Sequence, residues 1–342
     1  MLQPSPGRAE RRPLGLRREV LPESADRLPA QCRQPRIRAR AGLRPRRLPG
    51  QRQAGADHDA ADQGPARLPG EPLARPTALR STVLLILLPP SEGKAAPAGR
   101  GRPVDIDALW TPGLAGARRK IVDALREASA GPDGAAVLGL TDGRRSELDL
   151  NLRLPDLPAR PAGEVYTGVL YDALRLTELS SRAKRRANAA IRVQSALWGP
   201  IKITDRIPPY RLSIGTSLPG IGPLAGFWRS ETADLDAPGE LIIDCRSTGY
   251  ATAWQPRSDK LIKVTALTEK DGVRSVVSHF AKHTRGVVAR LLLEAERTPR
   301  TPQQVRDIIA RHGHCELDRM RTGWQLSVIT DAAGRLRMAA DQ

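Results

Sequence analysis

The sequence predicts a mixed α/β fold: one domain with a mixed β-sheet flanked by helices, preceded by a disordered N-terminal extension. Three observations carry that prediction. Six branched aliphatics, Val83 to Leu88, run together and stop at Pro89-Pro90, the pattern of a strand buried on both faces. Further short apolar runs alternate with segments of helical periodicity. Asp271-Gly272 separates two such runs and is a strong hairpin signal, so the sheet is mixed.

Residues 1–82 hold 17 Arg, no Lys, no aromatic residue and 12 Pro against 8 acidic residues, half of the chain's net charge of +18. Such a segment cannot bury enough apolar surface to offset chain entropy. It reads as a disordered basic arm, as an arginine-rich tether for nucleic acid, or as an upstream stretch translated from a start placed too early. Arginine without lysine, and no period, favour the last, with Val83 as the start. The expected domain then covers 83–330, followed by a tail at 331–342.

After the first strand comes a Pro/Gly-rich loop over 95–112. Leu114 to Ala130 reads as an amphipathic helix, with Arg118, Arg119 and Lys120 opposite its apolar side and Gly131-Pro132 as its stop. A short helix is expected within 146–157, and an extended turn or short strand over Glu164–Thr167. Asp172 to Ala190 reads as one helix whose basic end, Arg182 to Arg186, suits the dipole of a last turn. Ile191–Leu197 is a strand closed by Trp198-Gly199-Pro200, and 201–223 is loop. A helix over Leu224–Leu235, a strand over Glu240–Cys245, two strands around Asp271-Gly272, and helices over His283–Glu296 and from Thr301 to His312 follow. Gly323–Thr330 is the last strand.

Cys32, Cys245 and Cys315 are odd in number and widely spaced, which argues for a reducing compartment and against a disulfide framework or zinc site. No apolar run approaches a membrane span of about 20 residues. No cofactor is called for. The excess of basic residues permits nucleic acid, nucleotides or other phosphorylated partners.

The chain's tyrosines and phenylalanines fall in glycine-bearing stretches beside Arg, Lys and Ser, which points to one composite site. P-P-S-E-G-K, ending at Lys94, is not a Walker loop, because Leu88 stands where the first glycine is required and Ala95 follows the lysine. Lys94 could bind a phosphate or, if desolvated, act as nucleophile or base; otherwise it is a solvated turn lysine. G-E-V-Y-T-G offers Glu164 as an acid or base, with Tyr166 and Thr167 as binding groups. The loop from Trp198 to Gly215 carries Lys202, Asp205, Arg206, Tyr210, Arg211 and Ser213. Its arginine forks suit phosphate or carboxylate, or pair with Asp205 to pin the loop. L-P-G-I-G-P at 218–223 is similar to the hairpin of a helix-hairpin-helix DNA module, but no helix is expected before it. S-H-F-A-K-H-T-R-G places His279, Lys282, His283 and Arg285 where a strand gives way to a helix. His279 and His283 have the spacing of paired metal ligands without a third, so no metal site is expected. Asp244 ends the L-I-I-D-C strand, as an acid/base group or as an aspartate satisfied by turn amides.

Taken in order, Pro90–Lys94, Gly163–Gly168, Ser195–Gly199, Pro209–Gly215, Phe227-Trp228 and Ser278–Gly286 resemble the motifs of the YaaA family of peroxide stress proteins. The resemblance spans about 83–330. It implies a cytoplasmic protein that limits oxidative DNA damage and binds DNA through a basic cleft, on a mixed α/β domain of unusual topology. It supplies no agreed reaction. Cys245 departs from the family's apolar residue, which disfavours a thiol sensor. Two readings lead, and a third, an iron-handling protein, is disfavoured by the poor ligand set. In the first, Lys94, Arg206, Arg211, Lys282 and Arg285 contact DNA phosphates, with Tyr166, Thr167, Tyr210 and Ser213 alongside. In the second, an enzyme acts on a nucleotide or nucleobase with Lys94 as nucleophile or base and Asp244 or Glu164 as partner.

Overall fold

A computed structural model describes residues 82–331 except 98, 236, 238, 271, 272 and 277. The extension expected at 1–82 lies outside the described residues save Thr82, as does the tail save Asp331, and the Asp271-Gly272 turn lies outside them too.

The first strand, β1 (Thr82–Leu88), is central in an eight-stranded sheet. It runs parallel to β2 (Ile191–Ser195) on one side and β4 (Gly239–Asp244) on the other, with Leu87 in register with Arg192 and with Asp244. β5 (Leu261–Lys270) continues the parallel run beside β4, and β8 (Trp324–Thr330) lies parallel beside β5. Antiparallel strands complete the sheet: β3 (Gly199–Lys202) on β2, β6 (Val273–Val276) on β5 and β7 (Cys315–Arg319) on β8. The sheet is mixed, as expected.

The aliphatic run is buried on both faces. Leu84, Ile86 and Leu88 join the main core with Ile121 and Leu125 of α1 (Ala115–Ala130), while Leu85 and Leu87 pack with Ile242, Trp110 and Trp254 on the other face. Each such side chain contributes about 1.5–3 kcal/mol by leaving water.

Several expectations need correction. Arg118 does not face solvent: it is fully buried, and its guanidinium donates to the carbonyls of Trp110, Thr111, Trp198 and Pro200. It therefore pins the β2–β3 turn, where a helix stripe alone predicted an exposed charge. The strand expected over 191–197 ends at Ser195, a turn over 196–198 includes Trp198, and Gly199-Pro200 opens β3. Gly199 has φ 62°, and a Cβ there would stand 2.5 Å from the Trp228 ring, so only glycine turns the chain back at this point. Pro200 is tolerated because β3 is an edge strand.

The helix expected over 172–190 is two helices. α3 (Val169–Leu174) stops at Arg175 with φ 51°, and α4 (Ser181–Ala190) restarts behind Ser180, whose hydroxyl accepts from the Ala183 N–H. The basic cluster thus lies in the front of α4, not in a last turn. Arg186 instead donates to the carbonyls of Leu292, Leu293 and Ala295 at the end of α7 (Ser278–Glu294), so it complements a neighbouring helix's dipole. α7 starts five residues earlier than the sequence suggested, and Gly286 in it lies so close to α3 that a Cβ would be 2.2 Å from the Leu170 carbonyl oxygen.

Residues 162–165 form a short helical turn, so the extended backbone expected over 164–167 begins only at Tyr166. The 217–223 segment is a tight hairpin pairing Ser217–Leu218 with Gly222–Pro223, and no helix precedes it within 206–217, so it is not a helix-hairpin-helix module.

Candidate functional site

Two of the stretches singled out in the sequence are zipped together by backbone. Lys94 forms an antiparallel bridge with Tyr166; the Ala95 N–H donates to the Val165 carbonyl at 2.9 Å and the Thr167 N–H reaches Gly93 O and Ser91 Oγ at 3.3 and 3.0 Å. The Pro89-Pro90 stop directs the chain out of β1 into this bridge, and Tyr171 of α3 holds the corner by donating to the Pro89 carbonyl.

The bridge turns Lys94 inward. Its Nζ lies 4.3 Å from the centroid of the Tyr210 ring and 6.0 Å from that of Tyr166, and donates to the carbonyls of Ser91 and Glu92 at 3.0 and 3.3 Å. Behind the rings runs a chain of hydroxyls. Ser195 Oγ accepts the N–H groups of Leu197 and Trp198, so its own proton goes to the Tyr210 hydroxyl at 2.7 Å. The Tyr210 proton in turn goes to Tyr166, 3.1 Å away. Both tyrosines are 2% exposed, so neither offers a free face on which a base could stack.

Burial, followed by the positive charge of Arg211, lowers the Lys94 ammonium from an ordinary 10.5 to about 7; Glu147 and Glu92 partly oppose this. Burial raises the hydroxyls of Tyr166, Tyr171 and Tyr210 well above their usual range. It pushes Tyr250 up to about 12, against hydrogen bonds from the Ile214 backbone and Ser213. The lysine thus stands half-buried at the edge of a buried tyrosine cluster, with its proton affinity brought near neutral pH.

Arg211 is fixed by two routes. Asn151 of α2 (Glu147–Leu152) brackets its backbone, accepting from the N–H at 2.8 Å and donating to the carbonyl at 2.9 Å. Its guanidinium lies 3.4 Å from Glu147 and 4.0 Å from Glu92, and Glu147 also accepts from Arg144 at 2.7 Å. Glu147, Asn151 and Arg144 were missed from sequence. They lie in a charged segment with no motif, and only the packing of α2 brings them here. Ser195 was quoted within a motif but given no role; its place before a Leu-Trp turn was the available signal.

The structure draws Lys94, Tyr166, Thr167, Tyr210, Arg211 and Ser213 into this neighbourhood and places the other candidates elsewhere. Glu164 is exposed on its helical turn. Arg206 donates to the Ala159 carbonyl. Asp205 accepts the N–H groups of Trp110 and Lys202, so it pins its loop. Lys282 is exposed on α7, and Arg285 donates to the Val264 carbonyl. Asp244 is bound through both oxygens at 2.9 Å by Arg246, a pair that is 5% and 1% exposed. That arrangement orients Asp244 toward Arg246 and not toward the lysine. Cys245 is fully buried, and burial pushes its thiol up to about 12, which removes thiolate reactivity at neutral pH.

The family model described as Peroxide stress protein YaaA matches residues 84–314. A UPF0246 protein of Streptomyces coelicolor is 44% identical over 237 residues, which is 68% of this chain and 91% of that protein. UPF0246 proteins of Corynebacterium efficiens and Corynebacterium glutamicum are 40% and 37% identical over 231 and 235 residues, covering 66% and 67% of this chain and 91% and 93% of theirs. Among the described residues no helix is long and apolar enough to cross a membrane.

Proposed function

We propose that this chain, which belongs to the YaaA family of peroxide stress proteins, acts in peroxide stress through chemistry at Lys94 on a nucleotide or nucleobase. The observation that carries this reading is the Lys94 amine, buried against Tyr210 and lowered to about 7. A buried amine that is half deprotonated at neutral pH is matched to work as a general base or nucleophile. The Ser195–Tyr210–Tyr166 chain supplies oriented hydroxyls beside it, and Arg211 supplies a cation for an anionic substituent. Incubation with a nucleotide and nucleobase library, read by mass spectrometry, tests the proposal. Conversion by the native protein and none by Lys94→Met is expected. No converted and no bound species would overturn it.

DNA binding is the second reading, and it rests on different residues. The inward turn of Lys94 and the burial of both tyrosines leave phosphate contact to exposed cations such as Arg206 and Lys282. Duplex binding measured against salt should then fall by about 0.9 log unit per log unit of salt for each phosphate neutralised. Lys94→Met should leave that slope unchanged while abolishing protection of DNA from peroxide. An equal loss of affinity and protection would make the lysine a DNA contact.

A further inference from the structure

β4 stops at Asp244, in register with Lys263, while its parallel neighbour β5 runs on to Lys270. The step leaves a crevice of about 670 Å³ at the carboxyl end of β4. That is the edge at which open α/β sheets hold ligands, and the volume is in the range of small-molecule sites.

Its floor is the buried Asp244–Arg246 pair. Arg246 also donates through Nη1 to the carbonyls of Tyr250 and Trp254, so the pair is self-neutralised and held in place. Asp244 is the one carboxylate on a wall that also carries Arg257, Lys263 and Arg285. Among the described residues, neither Arg257 nor Lys263 is paired with a carboxylate. Arg285 binds the Val264 carbonyl through Nε, which leaves its terminal nitrogens. Thr248 and Thr265 add hydroxyls to the same wall, while Thr252 donates its own proton to the Thr248 carbonyl. Three cations without counter-ions, two hydroxyls and a rigid neutral floor have the chemistry of a phosphoryl site.

We infer that this crevice is a binding site for the phosphate group of a small ligand, separate from the Lys94 pocket. Phosphate oxygens would take the forks of Arg257 and Arg285 and the ammonium of Lys263. The crevice does not depend on the reading of Lys94.

Isothermal titration calorimetry of the full chain with inorganic phosphate, adenosine 5′-monophosphate, adenosine and a short DNA duplex tests the inference. Inorganic phosphate and the monophosphate should bind and compete with each other, and adenosine should not displace the phosphate. Arg257→Gln and Lys263→Gln lie on the surface and leave the fold intact. Each should weaken monophosphate binding about tenfold, the loss of one charge-assisted hydrogen bond. Lys184→Gln, which removes an exposed cation of α4 away from the crevice, should leave it unchanged, and that separates this site from a general loss of positive charge. Absence of phosphate and monophosphate binding would overturn the inference. So would monophosphate binding that both variants leave unaltered, or variants that weaken only the duplex, which would make the crevice part of a DNA surface.

Discussion

Lys94 and Tyr210, 116 positions apart in the chain, meet with the ammonium 4.3 Å from the ring centroid. The ring and its hydroxyl have separable roles. The ring faces the lysine, and the hydroxyl joins Ser195 to Tyr166. Tyr210→Phe should therefore keep the lysine's titration midpoint near 7, read by NMR of the methylated amine. It should lower stability by about 1–3 kcal/mol, because two buried hydroxyls lose a partner. A midpoint returned to that of free lysine would show that the hydroxyl, and not burial, sets it.

The neighbouring charges push the lysine in opposite directions. Arg211 lowers its pKa and Glu147 raises it. Arg211→Met should move the NMR midpoint up and Glu147→Gln should move it down. Shifts of the same sign would break this account.

Burial of Lys94 has a signature in stability against pH. The folded value is about 7 and the ordinary one 10.5. Between those values the unfolded chain holds a proton that the folded protein has released, so stability rises with pH across this window. Below pH 7 both states are protonated and the full cost of the buried charge remains. Lys94→Met should be more stable than the native protein there, by up to roughly 3–5 kcal/mol. The advantage should vanish as pH approaches 10.5. Urea unfolding of both proteins at pH 6, 8 and 10 checks the sign.

Asp244 and Arg246 offer a contrast between structural and chemical roles. Asp244→Asn leaves a buried guanidinium without its counter-ion and should cost about 3–5 kcal/mol. The pair Asp244→Leu with Arg246→Met should recover most of that loss, as apolar replacements of buried ion pairs do. If Asp244→Asn folds with native stability but loses activity, Asp244 is the acid/base partner of the site.

Gly286 sets how closely α7 approaches α3. With a Cβ 2.2 Å from the Leu170 carbonyl, Gly286→Ala must push the helices apart. A loss of about 3 kcal/mol is expected from such overpacking, read as a lowered melting temperature. An unchanged melting temperature would mean that the helices separate freely.

The sheet was legible wherever apolar patterning was strong: β1, β2, β4, β5 and β8 follow from runs of branched residues. Two edge strands were not. Gly-Pro-Ile-Lys hides β3 behind a turn signal, and Cys-Glu-Leu-Asp-Arg is too polar for β7 to stand out. The break at Arg175 was invisible because its residues favour helix, and tertiary packing overrode that preference. Of the site, Lys94, Tyr166, Tyr210 and Arg211 were readable from glycine-bearing aromatic stretches. Glu147 and Asn151 were not, since nothing marks them until α2 docks.

The order of strong apolar runs and breakers alone determined that a buried strand would deliver P-P-S-E-G-K to the carboxyl edge of a sheet. Those signals are local, and so they survive without the fold. Tertiary structure decided which way Lys94 points. The backbone bridge to Tyr166 turns the ammonium from solvent into a tyrosine pocket, and desolvation there is a sum over distant residues that no short motif encodes. The same long-range packing buried the local Asp244–Arg246 pair and left Arg257, Lys263 and Arg285 around the crevice beyond β4.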